Sequence, residues 1–450
     1  MKIKLILGFI ALMIFAGTVT PLKAQLPKET PEQKTQRLQW WTDARFGMFI
    51  HWGLYALPAR HEWVKNRERL TNEQYQKYFD NFNPDLYNPK EWAKMAKAAG
   101  MKYVVLTAKH HEGFCLFDSK YTDYKSTNTP IGKDLIREYV DAFRAEGLKV
   151  GFYYSLIDWH HPDYTIDRMH PQRQESDTAY ARLNKGKDMK KYQEYMKNQV
   201  RELLTNYGEI SVIWFDFSFP GQNGKGRADW DSENLLKLAR QLQPKIIVDD
   251  RLDLSDVEGG FDFVSPEQYK VDKWPEHNGK KVAWETCQTF SGSWGYYRDE
   301  TTWKSPAQLL ELLIETVSKG GNLLLNVGPT ARGVFDERAQ SRLGSMGEWM
   351  KFNSRSIYNC TEAPAEFTAP ANTLLTYNPS TKRLYVHLLA YPMGNLVLRN
   401  MADKVKYIQF LHDASEVKYS PVKNDANSLN LSLPILKPNT EIPVIEVILK

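Results

Sequence analysis

Short apolar runs alternate with stretches of helical spacing along the first three quarters of the chain. Each apolar run breaks off at aromatic or polar side chains, as buried parallel strands do at their carboxyl ends. The predicted strands cover residues 47–52, 102–108, 149–155, 210–215, 245–248, 261–264, 281–284 and 320–327. The predicted helices cover residues 88–100, 133–146, 190–207, 232–243, 305–319 and 338–353.

This alternation predicts a parallel sheet joined by right-handed crossover helices. The strands favour a distorted (β/α)8 TIM-like barrel, whose second half is irregular because no helix separates residues 261–264 from residues 281–284. An open doubly wound sheet is the second interpretation. It is the weaker one because no Gly-x-Gly-x-x-Gly sequence follows the first strand.

The pattern changes beyond about residue 363, where helical spacing disappears. Alternating or apolar runs separated by Asn, Pro and Gly then cover residues 373–377, 383–389, 396–398, 405–410, 417–419 and 442–449. This texture predicts a small C-terminal antiparallel β-sandwich. We therefore divide the chain into three parts: a signal peptide at residues 1–24, a catalytic barrel at residues 25–360 and a β-sandwich at residues 361–450.

The N-terminus has the composition of a cleavable signal peptide. Lys2 and Lys4 precede an apolar run at residues 5–19, and Ala24 offers a small residue for cleavage. The run is short for a spanning helix, so an uncleaved anchor is the weaker interpretation. We expect a periplasmic or secreted protein with no membrane anchor after cleavage.

Charge and cysteine content exclude several classes of function. The chain carries a formal net charge of +5, and three of its lysines lie in the predicted signal peptide, which leaves +2. That balance argues against a nucleic-acid partner. Cys115, Cys287 and Cys360 have no metal-ligand spacing, so we predict no metal site. The 13 tryptophans suit the stacking of sugar faces on aromatic rings.

Polar side chains gather at or just beyond the ends of the predicted strands. Each has an ordinary structural explanation, such as a helix cap for Asp216, an ion pair for Arg251 or core packing for His51. The two adjacent histidines are expected to point to opposite sides of a strand, which disfavours a shared metal. The set consists of His51, His110, His111, Tyr154, Asp216, Arg251, Glu267 and Glu285.

Taken together, a barrel rim with histidines, carboxylates, an arginine and many tryptophans matches hydrolysis of a glycosidic bond. That reaction needs one ionised carboxylate beneath the anomeric carbon and one protonated acid beside the leaving oxygen. Asp216, at the end of the run Ser211–Phe215, suits the nucleophile. A glutamate in a later, looser segment suits the acid.

Several motifs along residues 38–360 resemble the α-L-fucosidases of glycoside hydrolase family 29, in particular secreted bacterial members. The matching segments are residues 45–53 (RFGMFIHWG), 109–114 (KHHEGF), 214–216 (WFD), 293–296 (SWGY) and 320–329 (GGNLLLNVGP). The resemblance implies a retaining exo-hydrolase that releases α-L-fucose from glycans without metal or cofactor.

The same resemblance implies roles for individual residues. Asp216 corresponds to the nucleophile, and Trp294 to an aromatic residue that packs on the C6 methyl of fucose. The residues that it implies at the sugar or the nucleophile are His51, Glu62, Trp63, His110, His111, Tyr154, Trp214 and Arg251.

The sequence leaves more than one candidate for the acid/base residue and more than one for the sugar that is hydrolysed. Ser265-Pro266-Glu267 resembles the Thr-Pro-Glu segment that carries the acid in several members, so we favour Glu267 over Glu285. Phe217 departs from the small residue usual after the nucleophile. The alternatives in function are an α-L-galactosidase or another glycosidase for a fuco-configured sugar, and a catalytically silent sugar-binding barrel.

Overall fold

The computed structural model describes residues 29–450, so the predicted signal peptide lies outside the described residues. The helices are α1 (Pro31–Ala44), α2 (Val64–Arg67), α3 (Asn72–Asp80), α4 (Pro89–Ala98), α5 (Leu135–Ala145), α6 (Asp177–Asn184), α7 (Met189–Asn206), α8 (Arg227–Trp230), α9 (Ser232–Leu242), α10 (Pro306–Ser318) and α11 (Glu337–Asn353). Short 3-10 helices cover Leu54–Ala56, Ser126–Asn128 and Ser354–Ser356.

The strands fall into a first group of nine and a C-terminal group of eight. The first group is β1 (Phe46–Ile50), β2 (Tyr103–Lys109), β3 (Lys149–Ser155), β4 (Val212–Asp216), β5 (Ile247–Val248), β6 (Glu276–His277), β7 (Lys280–Lys281), β8 (Glu285–Thr289) and β9 (Asn322–Val327). The second group is β10 (Thr361–Glu362), β11 (Thr373–Asn378), β12 (Arg383–Leu388), β13 (Asn395–Leu398), β14 (Val405–Phe410), β15 (Lys418–Val422), β16 (Asp425–Ser432) and β17 (Val444–Leu449).

Seven strands form one curled parallel sheet in the order β5-β4-β3-β2-β1-β9-β8. The segment 261–264 bridges the gap between its two edges. The Asp262 amide donates to the Val248 carbonyl over 2.8 Å, and the Glu285 amide donates to the Val264 carbonyl over 3.0 Å. This segment takes the eighth place of the ring, which confirms the distorted (β/α)8-like barrel.

One predicted strand is wrong. Residues 280–281 belong to the small hairpin β6–β7, and the barrel strand begins at Glu285 rather than near residue 281. The physical reason lies in the sequence of β8, Glu-Thr-Cys-Gln-Thr, which is buried throughout yet almost entirely polar. Hydrophobic periodicity does not detect such a strand.

Both faces of the barrel strands are buried, as expected for a parallel sheet. Along β1, Met48 and Ile50 pack outward among the helices, whereas Phe49 packs inside the barrel with Tyr153 and Trp214. Several helices begin at capping residues; Ser305, for example, forms a capping box with Gln308 at the start of α10. No helix within residues 29–450 is long and apolar enough to cross a membrane.

The C-terminal strands form two antiparallel sheets, in the orders β10-β11-β12-β17-β14 and β13-β16-β15. They share one core, which confirms the β-sandwich. Along β12, Leu384 and Val386 face that core, while Tyr385 faces the barrel. The Trp349 indole of α11 donates to the Ile442 carbonyl over 2.8 Å and joins the two parts. The predicted domain limits stay a prediction.

Candidate active site

The carboxyl end of β4 places Asp216 between two donors from neighbouring strands. β3 and β4 pair in parallel, with Tyr153 beside Trp214 and Ser155 beside Asp216. The Tyr153 hydroxyl donates to Asp216 Oδ2 over 2.8 Å. Arg251, which follows β5, donates from Nη1 to Asp216 Oδ1 over 2.9 Å. Each carboxylate oxygen of Asp216 therefore has its own donor.

Arg251 also brings Glu267 to the same place. The Nη1 atom that contacts Asp216 lies 2.8 Å from Glu267 Oε2. Because both carboxylates contact one nitrogen, their nearest oxygens are less than about 6 Å apart, which is compatible with the roughly 5–5.5 Å between carboxyl groups in retaining glycosidases. The Glu267 side chain is 40% exposed, so it faces the open side of the site.

The Arg251 guanidinium is fixed by further contacts. Its Nε atom donates to Ser265 Oγ over 3.1 Å and its Nη2 atom to the Ser265 carbonyl over 3.2 Å. Its planar group lies 4.4 Å above the Trp214 ring centroid. Trp214, predicted to contact the sugar, therefore packs beneath the Arg251 guanidinium and supports it.

Opposing influences act on the Asp216 carboxyl. Burial raises its pKa, and the nearby Glu267 carboxylate raises it further. The Arg251 guanidinium and the Tyr153 hydroxyl lower it, because both stabilise the ionised form. The pKa of Asp216 stays above its usual value, and the two donors offset part of the effect of burial by favouring the ionised form that attacks.

The tautomer of His111 is determined by a chain of hydrogen bonds. The Ser155 hydroxyl donates to the Ile157 carbonyl over 2.8 Å, so it accepts from His111 Nδ1, which lies 2.6 Å away. Burial holds the pKa of His111 well below its usual value, so the ring is neutral. Its unprotonated Nε2 lies 3.7 Å from Asp216 Oδ2 and is ready to accept from a sugar hydroxyl.

His51 is held in the same way from β9. The Asn326 amide nitrogen donates to the Trp294 carbonyl over 2.6 Å, so its oxygen accepts from His51 Nδ1 over 2.6 Å. Burial also holds the pKa of His51 well below its usual value. The Trp294 ring lies 5.1 Å from the His51 ring. Asn326 therefore positions a histidine and a tryptophan together.

His110 and His111 lie on the same side, contrary to the expectation from strand alternation. β2 ends at Lys109 after an irregular register, and the two imidazole centroids are 4.1 Å apart. Lys109 takes the outward place and pairs with Asp158 over 3.1 Å. His110 stacks on Tyr153 at 5.7 Å. Both histidines therefore border the site.

Glu62 and Trp63 reach the site from the loop after β1. Glu62 Oε2 accepts from the backbone amides of Trp294 and Gly295 over 3.1 and 2.8 Å, so this carboxylate holds the loop that carries Trp294. The Trp63 ring lies 5.0 Å from the His111 ring and 5.7 Å from the Phe217 ring. Phe217 has φ of 148°, a strained value next to the nucleophile.

Two predicted site residues lie elsewhere. The Tyr154 hydroxyl donates to Gln199 of α7 over 2.8 Å, in the layer between sheet and helices. Its neighbour Tyr153 faces Asp216 instead, because successive strand residues point to opposite faces. Glu285 lies at the amino end of β8, where Tyr103 and Trp41 donate to it. It is 1% exposed and is at the wrong end of the barrel for the acid.

Sequence reasoning missed Tyr153, Ser155 and Asn326. Tyr153 is next to the predicted Tyr154, so the sequence identified the correct strand but chose the residue that points to the other face of the sheet. Asn326 interrupts the apolar run of a predicted strand within the motif at 320–329, and a polar residue at such a place is a signal that could have identified it. Within residues 29–450, no group of three or more His, Cys, Asp or Glu side chains is placed to hold a metal ion.

Comparisons with known proteins agree with this geometry. The family model described as Alpha-L-fucosidase matches residues 16–355. The tissue α-L-fucosidase of Macaca fascicularis is 30% identical over 463 residues, which cover 95% of this chain and 92% of that relative.

Solved structures are similar over nearly the whole chain. α-L-Fucosidase isoenzyme 1 from Paenibacillus thiaminolyticus matches with a TM-score of 0.86 at 46% identity, covering 93% of this chain and 99% of that chain. A Bacteroides thetaiotaomicron α-L-fucosidase, trapped as a covalent intermediate with 2-fluoro-fucosyl fluoride, matches with a TM-score of 0.79 at 28% identity, covering 95% and 98%. The chain therefore belongs to the α-L-fucosidase family, glycoside hydrolase family 29, whose members are α-L-fucoside hydrolases.

Proposed function

We propose that this enzyme removes terminal α-L-fucose from glycans by double displacement, with Asp216 as nucleophile and Glu267 as acid/base. The observation that carries the proposal is the Arg251 Nη1 atom shared by the two carboxylates. The relatives named above are all α-L-fucosidases, so neither the α-L-galactosidase nor the silent sugar-binding barrel is proposed.

In the first step an Asp216 oxygen attacks the anomeric carbon as the bond to the leaving oxygen breaks. Glu267 gives its proton to that oxygen, and the rest of the glycan departs as an alcohol. In the second step the Glu267 carboxylate takes a proton from water. The water oxygen then displaces Asp216 and releases fucose with its original anomeric configuration.

The neutral histidines and Trp294 give the site its preference for this sugar. His51 and His111 each present an unprotonated Nε2 atom, which accepts from a sugar hydroxyl. Trp294 provides an apolar surface for the C6 methyl group. An α-L-galactoside adds one hydroxyl against that surface, and such a change is rejected only weakly, by roughly tenfold to a hundredfold.

The proposal is tested by trapping the covalent intermediate. A 2-fluoro-fucosyl fluoride forms the ester quickly and slows its hydrolysis, so peptide mass spectrometry of the inactivated enzyme is expected to find the label on Asp216. An enzyme that is active on an aryl α-L-fucoside but labelled at another carboxylate would overturn the assignment of the nucleophile.

We also propose that the enzyme acts in the periplasm or outside the cell. The basic, then apolar, N-terminal sequence supports this location. Expression of the full chain is expected to yield a protein that begins near Gln25 in the periplasmic or external fraction. A product retained in the cytoplasm with its N-terminus intact would contradict this proposal.

A further inference from the structure

A polar cavity lies beside the catalytic rim and plays no part in the steps above. Its volume is about 300 Å³, the lower end of the range for small-ligand sites. Its walls come from the segment after β1 and the long segment after β3. Trp159 lines it, and the Trp159 ring lies 5.4 Å from His111 and 5.2 Å from Trp63. One indole thus borders both the cavity and the active site.

Two lysines give this cavity a cationic wall. Lys65 Nζ donates to Asn72 Oδ1 over 2.9 Å, and Lys187 Nζ donates to the Pro162 carbonyl over 2.6 Å. Among the described residues, neither ammonium has a carboxylate within 4 Å, although both line the cavity. Glu73 is the single carboxylate among the lining residues, and its own side chain is exposed.

The other polar groups add hydrogen-bonding capacity without charge. Burial lowers the pKa of His160 to about 4 and that of His170 to about 3, so both rings are neutral near pH 7. Lys65 is almost fully buried, which lowers its pKa to about 8 and leaves it mostly protonated at pH 7. The carboxylates of Glu112, Asp158 and Glu73 act on Lys65 only from beyond 4 Å. An anionic ligand in the cavity would add a direct charge-assisted contact to this buried ammonium.

We propose that this cavity is a subsite for an anionic substituent, a sulfate ester or a carboxylate, on the glycan that carries the fucose. The proposal rests on the proposed fucosidase function, because the fucose must lie over Asp216 while the rest of the glycan leaves across the rim. Trp159 is buried and forms part of the wall between that path and the cavity, whose lining includes both lysines.

The test compares three substrates with the same core: a neutral fucosylated oligosaccharide, its sulfated form and its sialylated form. For the wild-type enzyme, kcat/KM is expected to be about tenfold higher for at least one anionic form than for the neutral one, the size of a charge-assisted contact. The preference should shrink as salt is added. The anionic substrate whose kcat/KM is higher than that of the neutral one shows whether the cavity binds a sulfate ester or a carboxylate.

Variants locate the effect. Lys187→Met and Lys65→Met are expected to reduce the anionic preference to about twofold or less, with unchanged turnover of an aryl α-L-fucoside. Lys190→Met is the matched control, because Lys190 is exposed and does not line the cavity. Equal kcat/KM for the three substrates, or a preference that survives both cavity variants, would overturn the proposal.

The two proposals fail in different ways. An enzyme without activity on any fucoside refutes the fucosidase function, whereas an active enzyme indifferent to charge refutes only the subsite. Calorimetric titration with the sulfated and sialylated saccharides measures the subsite directly, even without turnover. Binding that is equal for wild type and Lys187→Met would again count against it.

Discussion

Asp216 and Glu285 are two buried carboxylates at opposite ends of one barrel. Each accepts a hydrogen bond from a tyrosine on another strand of the barrel, Tyr153 of β3 for Asp216 and Tyr103 of β2 for Glu285. Burial raises the pKa of both, to about 7 for Glu285. By burial, hydrogen bonding and an aromatic environment, the two sites are nearly equivalent.

They differ in charge compensation and in access. Asp216 contacts the Arg251 guanidinium and lies beside the exposed Glu267, whereas the partners of Glu285 in the described residues are the neutral donors Tyr103 and Trp41. A raised pKa alone therefore does not identify a catalytic carboxyl. A cation that favours the ionised form of the acid, together with an open side for substrate, distinguishes the working site from a structural one.

The largest expected effect separates these two acids by activity. Asp216→Asn is expected to reduce kcat for an aryl α-L-fucoside by at least about 10,000-fold, because the amide cannot form the ester intermediate. Glu285→Gln is the matched isosteric control and should retain kcat within about threefold. Far-UV circular dichroism checks that both variants fold. Comparable losses in the two variants would remove the functional distinction between the ends.

The second prediction tests which glutamate is the acid/base. Glu267→Ala is expected to lower kcat/KM on a natural fucoside by about 100- to 10,000-fold, the usual contribution of general acid catalysis. An aryl fucoside with a good leaving group should lose much less, because its oxygen needs little protonation. Azide should restore turnover and give a β-fucosyl azide. If Glu285→Ala shows this profile instead, the assignment to Glu267 is wrong.

The two ends also differ in how well the sequence predicted them. The carboxyl end was largely predictable because its polar residues interrupt apolar runs, as at His51 and Asp216. The amino end was predicted wrongly. Because β8 is buried but polar, the sequence placed the strand too early, with Glu285 just after its end. In the structure Glu285 is the first residue of β8.

The direction in which side chains point was the second feature that the sequence did not predict. Tyr153 and Tyr154 are identical residues in one strand, and only the register of β3 against β4 decides which faces Asp216. Similarly, the end of β2 at Lys109 brings His110 and His111 to one side. Neither feature follows from composition or spacing, because both depend on where hydrogen bonding between strands stops.

The third prediction concerns stability at the amino end. The folded protein holds the Glu285 proton with a pKa of about 7, above the ordinary 4.5 of the unfolded chain. The stabilisation is therefore complete below pH 4.5 and is lost as the pH rises through 7, by roughly 3 kcal/mol in the free energy of unfolding. The Glu285→Gln variant has no titratable proton at this position, so this pH-dependent contribution to stability is absent from it.

Thermal unfolding of wild type and Glu285→Gln at pH 5 and pH 7.5 measures the difference. The wild-type advantage is expected to shrink at the higher pH, while aryl fucoside turnover stays similar in the two proteins. Melting temperatures that remain separated by a constant amount across this range would show that Glu285 does not titrate there.

The smallest expected effect tests the donor to the nucleophile. Tyr153→Phe removes a hydrogen bond that lowers the pKa of Asp216, so kcat/KM is expected to fall about tenfold. The attacking form of Asp216 is ionised, and its pKa rises when the donor is lost. The acidic limb of the pH profile of kcat/KM should therefore move to higher pH, by roughly one unit or less.

Tyr154→Phe is the matched control, because it removes the hydroxyl that contacts Gln199 outside the barrel. It should leave the acidic limb in place, although it removes the same group from the adjacent residue of the same strand. A shift in Tyr154→Phe and none in Tyr153→Phe would reverse the assignment of the two faces of β3. A shift in both would mean that the limb reports the packing of β3 rather than the charge on Asp216.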